Sequence, residues 1–444
     1  MGVILQAFYW NCPQAEGKEG AWWNVIKSKL PEIKAAGFTA LWLPPANKAA
    51  EWNSMGYDPY DYYDLGEFNQ KGAVPTWFGT KAELIGLIKA SHGLGMQVYA
   101  DLVFNHNSGA DGQEVNPIDG KSRWTKFMPA SKKFRRDWTC FHPCSYESWD
   151  GTTFGDMPDL CHRNPAVYTA LLEYCRWLLQ DIGFDGFRYD MVKGYGGWMV
   201  RSIQEMRVVR DSTHFDTGFK PYGVGECWDS ERTISDWLDD TNAWSDNPVG
   251  AFDFPLRWRL QSMCDEYGFS LRGLPSPGVL AWDRPEGAVT FVENHDVARS
   301  SPIINDKLMA YSFILTHQGY PCVFWQDYFT YGLGQTGNQS GIAALVQAHE
   351  KYAGGATQVL YVDDNLYLMQ RTGAPGQPGL VFVLNNNAQW AGTSVATQWN
   401  NTHFRPAAWR GRADTGVPQD TWTNGSGAAE FWAPPRGYCV YVPA

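Results

Sequence analysis

Cations are in the minority in this chain: 36 Lys and Arg stand against 47 Asp and Glu, a formal net charge of −11. A phosphate backbone or an anionic membrane surface would have to be met by clustered Lys or Arg, so neither nucleic acid nor membrane is an expected partner. Long apolar runs are missing too, and none reaches the roughly 20 residues that a membrane-spanning helix needs. The stretch Met1 to Trp10 is apolar but has no basic leader and no small-residue cleavage site, so it reads as a strand rather than a signal peptide. Cysteine is sparse and odd in number, nine in 444 residues, which excludes a dense disulfide framework and leaves at least one thiol unpaired within the chain. Cys140, Cys144 and Cys161 lie beside His142 and His162. Their spacing fits no tight zinc pattern, and a local disulfide, buried thiols and a zinc site stay open. Internal repeats and low-complexity segments are absent.

What the chain has in quantity is aromatic surface, 15% of residues with 22 Trp. Flat apolar faces with polar tips suit stacking on sugar rings, although a large core uses Trp as well. The length allows one barrel-sized domain of about 250 residues with satellites. Short β-rich runs alternate with amphipathic helical stretches up to about Tyr352, the pattern of repeated βα units on a parallel sheet. The expected strands are Val3 to Tyr9, Ala40 to Leu43, Gln97 to Phe104, Phe184 to Tyr189, Gly223 to Glu226, Gly250 to Phe254, Ala288 to Val292 and Cys322 to Trp325. Eight units with no spare strand favour a closed (β/α)₈ barrel. Apolar residues at spacings of three and four place helices at Trp23 to Ala36, Lys81 to Ser91, Ala166 to Asp181 and Lys307 to Thr316.

One interval is anomalous. Residues 106–161 are rich in Gly, Pro, Asp and Trp, carry no long helical period and are too many for an ordinary loop. They read as a small domain inserted after strand 3, so the barrel comprises 1–105 and 162–354. Residues 355–444 switch to short alternating runs with frequent Gly, Asn and Pro, which predicts a C-terminal antiparallel β-sandwich.

In such a barrel, chemistry sits at the C-terminal ends of the strands, and those ends are conspicuously polar here. The third strand runs QVYADLVFNH, with Asp101, Asn105 and His106. The fourth runs GFDGFRYDMVKG, where Arg188 and Asp190 are two apart and share a face. The fifth ends in Glu226, and the seventh runs FVENHD with His295 and Asp296. Three acids therefore arrive from three strands.

DLVFNH, GFRYDMVKG, GECWD and FVENHD, in this order, resemble the four signature regions of the α-amylase family of glycoside hydrolases. MPDLCH, GYDPYDYYDLGEF and GYPCVFWQD are family-like as well, so the resemblance spans the chain. It implies a retaining α-amylase: an endo-hydrolase of α-1,4-linked glucans in starch, glycogen or maltooligosaccharides, with Asp190 as nucleophile, Glu226 as general acid/base and Asp296 as third acid. Retention needs two carboxyl groups about 5 Å apart, one ionised and one protonated. Arg188 beside Asp190 would keep that carboxylate ionised. By the same resemblance His106 and His295 contact sugar hydroxyls, Tyr57 stacks beneath the sugar, Lys193 lies on the leaving-group side and Trp228 adds a stacking surface. Asp101 is expected to be structural.

The resemblance also implies Ca²⁺ held by Asn105, Asp159 and the carbonyl of Gly194, with Asp150 and a carbonyl near Thr152 as further ligands. Hard oxygen donors from a loop rich in Asp and Gly suit that ion. The enzyme is expected to be a monomer and extracellular, since a polymeric substrate favours export. Competing readings are an exo-acting maltooligosaccharide-forming amylase or a transglycosylase on the same scaffold, and a catalytically inactive glucan-binding protein. A barrel enzyme for phosphorylated substrates is disfavoured, because no Gly-rich phosphate cradle follows the seventh or eighth strand.

Overall fold

The computed structural model describes residues 2–147, 151–209, 218–335, 337–413 and 416–444. Eight short strands form a closed parallel barrel: β1 (Ile4–Gln6), β2 (Ala40–Trp42), β3 (Gln97–Leu102), β4 (Gly186–Tyr189), β5 (Tyr222–Gly225), β6 (Gly250–Phe252), β7 (Ala288–Phe291) and β8 (Tyr320–Phe324). Each pairs with its neighbour in chain order, and β1 pairs with β8, Ile4 opposite Cys322. All eight expected strands are present within a few residues of their expected ends. Their near-continuous burial follows from a sheet covered on both faces, inside by its own side chains and outside by helices.

The expected helices form as Trp22–Ala36, Lys81–Gly93, Pro165–Trp177 and Lys307–Ile314. The second shows how local sequence fixes a boundary. Glu83 N–H donates to the Thr80 hydroxyl at 3.3 Å, and the Thr80 N–H donates to the Glu83 carboxylate at 2.8 Å, a reciprocal cap. Thr80→Ala should therefore destabilise the chain by about 1 kcal/mol, read as a lower urea midpoint at unchanged slope. An unchanged midpoint would show that the cap is dispensable.

The interval between β3 and the helix Pro165–Trp177 holds no helix longer than one turn among its described residues. It consists of an antiparallel hairpin, Gly112–Val115 with Ser122–Lys126, and a 3₁₀ turn at Trp138–Cys140. It is stitched back onto β3 by backbone bonds, Leu160 N–H to the Asn105 carbonyl at 2.9 Å and Asn107 N–H to the Pro158 carbonyl at 3.0 Å. Cys144 and Cys161 form a disulfide that spans the end of this interval, while the other seven cysteines are buried free thiols.

The C-terminal region is a six-stranded antiparallel sheet crossed on one face by a two-stranded ribbon, Ala391–Ala396 paired with Ala428–Ala433. The two layers are thus unequal, which the alternating sequence pattern alone does not reveal. Strand periodicity divides the sheet. Tyr367, Met369, Phe382 and Leu384 join the barrel core, whereas Leu366, Leu368, Val381 and Val383 pack beneath Phe431 and Ala433 of the ribbon.

Candidate active site

Register places the polar residues at one level. Asp101 on β3 is opposite Arg188 on β4, Arg188 is opposite Val224, and Tyr189 is opposite Gly225 on β5. The chain then leaves the barrel at Asp190 and Glu226, each still held to the neighbouring strand: Asp190 N–H donates to the Leu102 carbonyl at 3.0 Å, and Glu226 N–H to the Tyr189 carbonyl at 2.9 Å. Gly225 lies under the ring of Trp237, where a Cβ would collide with the indole. The absence of a side chain there lets the helix bearing Trp237 close over β5.

Arg188, buried, is the hub. Its Nη1 donates to Asp190 Oδ1 at 2.6 Å and to Asp101 Oδ1 at 2.8 Å, and its Nη2 forms an ion pair with Glu226 Oε2 at 2.9 Å. One guanidinium therefore holds both Asp190 and Glu226, bringing their carboxyl groups within the span of a single arginine fork. Asp101 also accepts from Trp42 Nε1 at 3.0 Å and from the Tyr57 hydroxyl at 2.8 Å. It has no free face, in keeping with the structural part expected of it.

Burial sets the electrostatics. Desolvation pushes the Glu226 carboxyl well above its ordinary range, opposed by Arg188 and reinforced by the negative charges of Asp190 and Asp296. Asp296 is likewise raised by burial. His295 is held neutral, chiefly by burial and then by the positive Arg188. Its Nδ1 faces the amide nitrogen of Gln6 at 3.0 Å, which can only donate, so Nδ1 accepts and the ring proton is left to Nε2, which lies 3.2 Å from Asp296 Oδ2. Tyr57 stacks on His295 at 4.8 Å between ring centres, and Trp10 extends the stack.

The remaining expected residues ring this centre. Lys193 donates to the Trp228 carbonyl at 2.8 Å and pairs with Asp229 at 3.0 Å, placing Lys193 and Trp228 together, and one face of the Trp228 indole is covered by Phe254. His106 is buried, with Nε2 2.9 Å from the Tyr57 carbonyl oxygen and its ring stacked against Phe154. Phe154, half-exposed, comes from the inserted interval and was not anticipated from sequence, nor were Gln6, Trp10, Trp42 and Arg299, whose guanidinium lies 3.8 Å over the Trp10 ring. Gln6 had a readable signal: it is the one amide in the apolar run VILQAFYW. For Phe154 there was none.

Beside the acids is a convergence of oxygens. The Asn105 side-chain oxygen, as placed, faces the carbonyl oxygens of Gly194 at 3.1 Å and Thr152 at 3.2 Å, with no hydrogen between them. A Cβ on Gly194 would overlap the Asn105 side chain, so only glycine lets that carbonyl approach. Asp159 is buried, its Oδ2 2.8 Å from His142 Nδ1 and its Oδ1 without a hydrogen-bond partner among the described residues. Either the Asn105 amide turns to donate, or a cation sits among these oxygens, and the orphaned Asp159 oxygen fits the second. Asp150, the further expected ligand, lies outside the described residues. His142, Cys144 and Cys161 bring ligand atoms within 4.8 Å of one another, but here the two sulfurs are bonded together.

A closed (β/α)₈ barrel with three carboxyl groups, one arginine and a wall of stacked rings at the C-terminal ends of its strands defines an acid/base hydrolase of the glycosidase kind. Residues 14–217 match the family described as "Alpha amylase, catalytic domain". The chain is 34% identical to the α-amylase of Geobacillus stearothermophilus over 85% of its own length and 76% of the relative's. It is 31% identical to a glucan 1,4-α-maltohexaosidase of Bacillus sp. (strain 707), covering 87% and 83%. Among solved structures, the α-amylase of Geobacillus thermoleovorans in complex with acarbose superposes with a TM-score of 0.68 at 20% identity, over 96% of this chain and 93% of that one. The chain belongs to the α-amylase family.

Proposed function

We propose that the enzyme cleaves α-1,4-glucosidic bonds in starch, glycogen and related maltooligosaccharides with retention of configuration, acting within the chain. The observation that carries this reading is Arg188, paired at once with Asp190 at 2.6 Å and Glu226 at 2.9 Å, which keeps the two carboxyl groups beside one another as a double displacement requires. Asp190, paired to arginine, is the nucleophile. Glu226, raised by burial, keeps the proton that the leaving oxygen needs and then, as carboxylate, activates water for the second displacement. Asp296, 3.2 Å from His295 Nε2, grips sugar hydroxyls as positive charge develops at the anomeric carbon.

Tyr57, Trp228, His106, His295, Arg188 and Lys193 bind and orient the glucan, the first two by stacking. Ca²⁺ would be held by Asn105, Asp159 and the Gly194 carbonyl, with the Thr152 carbonyl and Asp150 beside them. Its part is to tie residues 106–161 to the barrel. We take 1–105 with 162–354 as the catalytic domain, 106–161 as the inserted domain and 355–444 as the C-terminal one. In this reading the enzyme is a secreted monomer. No helix among the described residues is long and apolar enough to cross a membrane.

Proton NMR of early hydrolysis tests the mechanism. The first reducing ends should be α-anomers, since two displacements through a covalent adduct on Asp190 restore the starting stereochemistry. A β-anomer appearing first would mean inversion. Product lengths over time separate internal cleavage, with a broad early distribution, from release of one fixed oligosaccharide.

A further inference from the structure

We propose that the outer face of the C-terminal ribbon is a second α-glucan binding site, remote from the acids and serving to hold polymer against the enzyme. The inference rests on the substrate reading above. Along the strand Ala428–Ala433 alternate residues turn inward, with Phe431 and Ala433 buried in the core, so Glu430 and Trp432 turn outward. Their cross-strand partners are small: Ser394 opposite Glu430 and Gly392 opposite Trp432.

The glycine has a purpose. A Cβ on Gly392 would lie 2.6 Å from two atoms of the Trp432 ring, so the indole rests flat on the bare backbone of the neighbouring strand. It remains 40% exposed. Its Nε1 donates to Glu430 at 3.2 Å, which fixes the ring in its plane. A large ring supported from below, pinned at its edge and open above is a stacking platform.

The platform borders a cavity of about 580 Å³ whose walls include Trp390, Gln419, Asp420 and Thr421. That volume accommodates a short run of sugar units rather than a single small ion. The chemistry of its lining selects the ligand. Two tryptophans offer faces, while Gln419, Asp420, Glu430 and Thr421 offer amide, carboxylate and hydroxyl groups suited to hydroxyl partners. No Lys or Arg is among the described lining residues, which leaves an anionic ligand without a counter-charge from them. Asp420 is braced by His403 at 2.7 Å, which orients the carboxylate. A neutral polyhydroxylated chain meets every one of these features. The substrate itself has that chemistry, and a polymer can be bound in two places at once, raising the local concentration of cleavable bonds at the barrel.

The test uses the full-length enzyme and three probes: native electrophoresis through gels containing amylopectin, hydrolysis of granular starch, and hydrolysis of maltopentaose. Trp432→Ala and the double change Trp390→Ala with Trp432→Ala should each weaken retardation by amylopectin roughly three- to ten-fold, the scale of one aromatic contact. Granular-starch turnover should fall in parallel, with kcat/KM on maltopentaose unchanged because the ribbon is far from the acids. Gln419→Ala removes a contact at the cavity wall without touching the ribbon core and should weaken retardation more modestly. Unchanged retardation and unchanged granular-starch turnover in the double variant, with melting temperature preserved, overturn the proposal. So does sedimentation showing that the face pairs two copies of the chain, with amylopectin retardation indifferent to the substitutions. Failure of the wild-type enzyme on maltopentaose would overturn the substrate reading instead, which keeps the two results apart.

Discussion

Asp190→Asn and Glu226→Gln should each lower kcat on a maltooligosaccharide by a factor on the order of 10⁴, leaving the fold intact. Each exchange preserves volume and removes a group that acts in the transition state. Asn cannot form the covalent adduct, and Arg188 remains paired with Asp101 and Glu226, so no buried cation is orphaned. Gln cannot release a proton to the leaving oxygen. The loss in kcat/KM should therefore shrink on an aryl glycoside whose phenol leaves without protonation, while kcat stays limited by the second displacement that lacks its base; at Asp190 both losses should persist there. The pH profile adds a second signature. Because burial raises Glu226 to about 8, the wild-type kcat/KM should hold up to neutrality and fall as pH rises through that value, where the acid loses its proton. In the residual activity of Glu226→Gln on a maltooligosaccharide that alkaline limb should vanish, and in the wild type it should flatten on the aryl glycoside. Retention of more than about a tenth of wild-type turnover by either variant would remove its assigned role.

Chelation should be the second large effect. Exhaustive EGTA treatment is expected to lower the melting temperature by several degrees and to abolish activity until Ca²⁺ is restored. An ion bound only by the folded state contributes RT ln(1 + [L]/Kd), about 2.7 kcal/mol at a hundredfold its dissociation constant. The loss should begin in residues 106–161, which hold no long helix among the described residues and are tied to the chain just beyond β3 through Asn105, Pro158 and Leu160. Activity follows because His106, paired with Asp159 by a β-bridge, carries one wall of the site. Asp159→Ala should reproduce the effect and blunt the response to EGTA. Metal-free enzyme, verified by elemental analysis, with unchanged melting temperature and activity would end the calcium assignment.

The barrel was legible because eight apolar strands at βα spacing leave few other ways to close a sheet, and the ends of the third, fourth, fifth and seventh strands are marked by polar residues. Asp190, Glu226 and Asp296 were legible for the same reason, as was Arg188, two residues from Asp190 on a shared face. The contacts between strands distant in sequence were not. Gln6 on β1 reaches His295 beyond β7 across the closed barrel, and Trp42 on β2 reaches Asp101 on the adjacent β3, and one-dimensional periodicity carries no such pairing information. Phe154 was hidden for a different cause: it sits in an interval whose conformation is set by turns, a disulfide and the oxygen cluster rather than by a repeating pattern. The unequal C-terminal layers were missed because an alternating strand says which residues face inward and nothing about how many strands lie above them.

The pairing of β1 with β8 has a consequence for the nascent chain. Ile4 waits for Cys322, and Gln6 for His295, so the first strand emerges from the ribosome some three hundred residues before its last neighbour exists. Until then the growing sheet has two open edges, and Gln6 and His295 are not held against each other by a closed barrel. Catalytic competence therefore arrives late and all at once in synthesis, and a chain interrupted before β8 is left with sticky edges rather than partial activity.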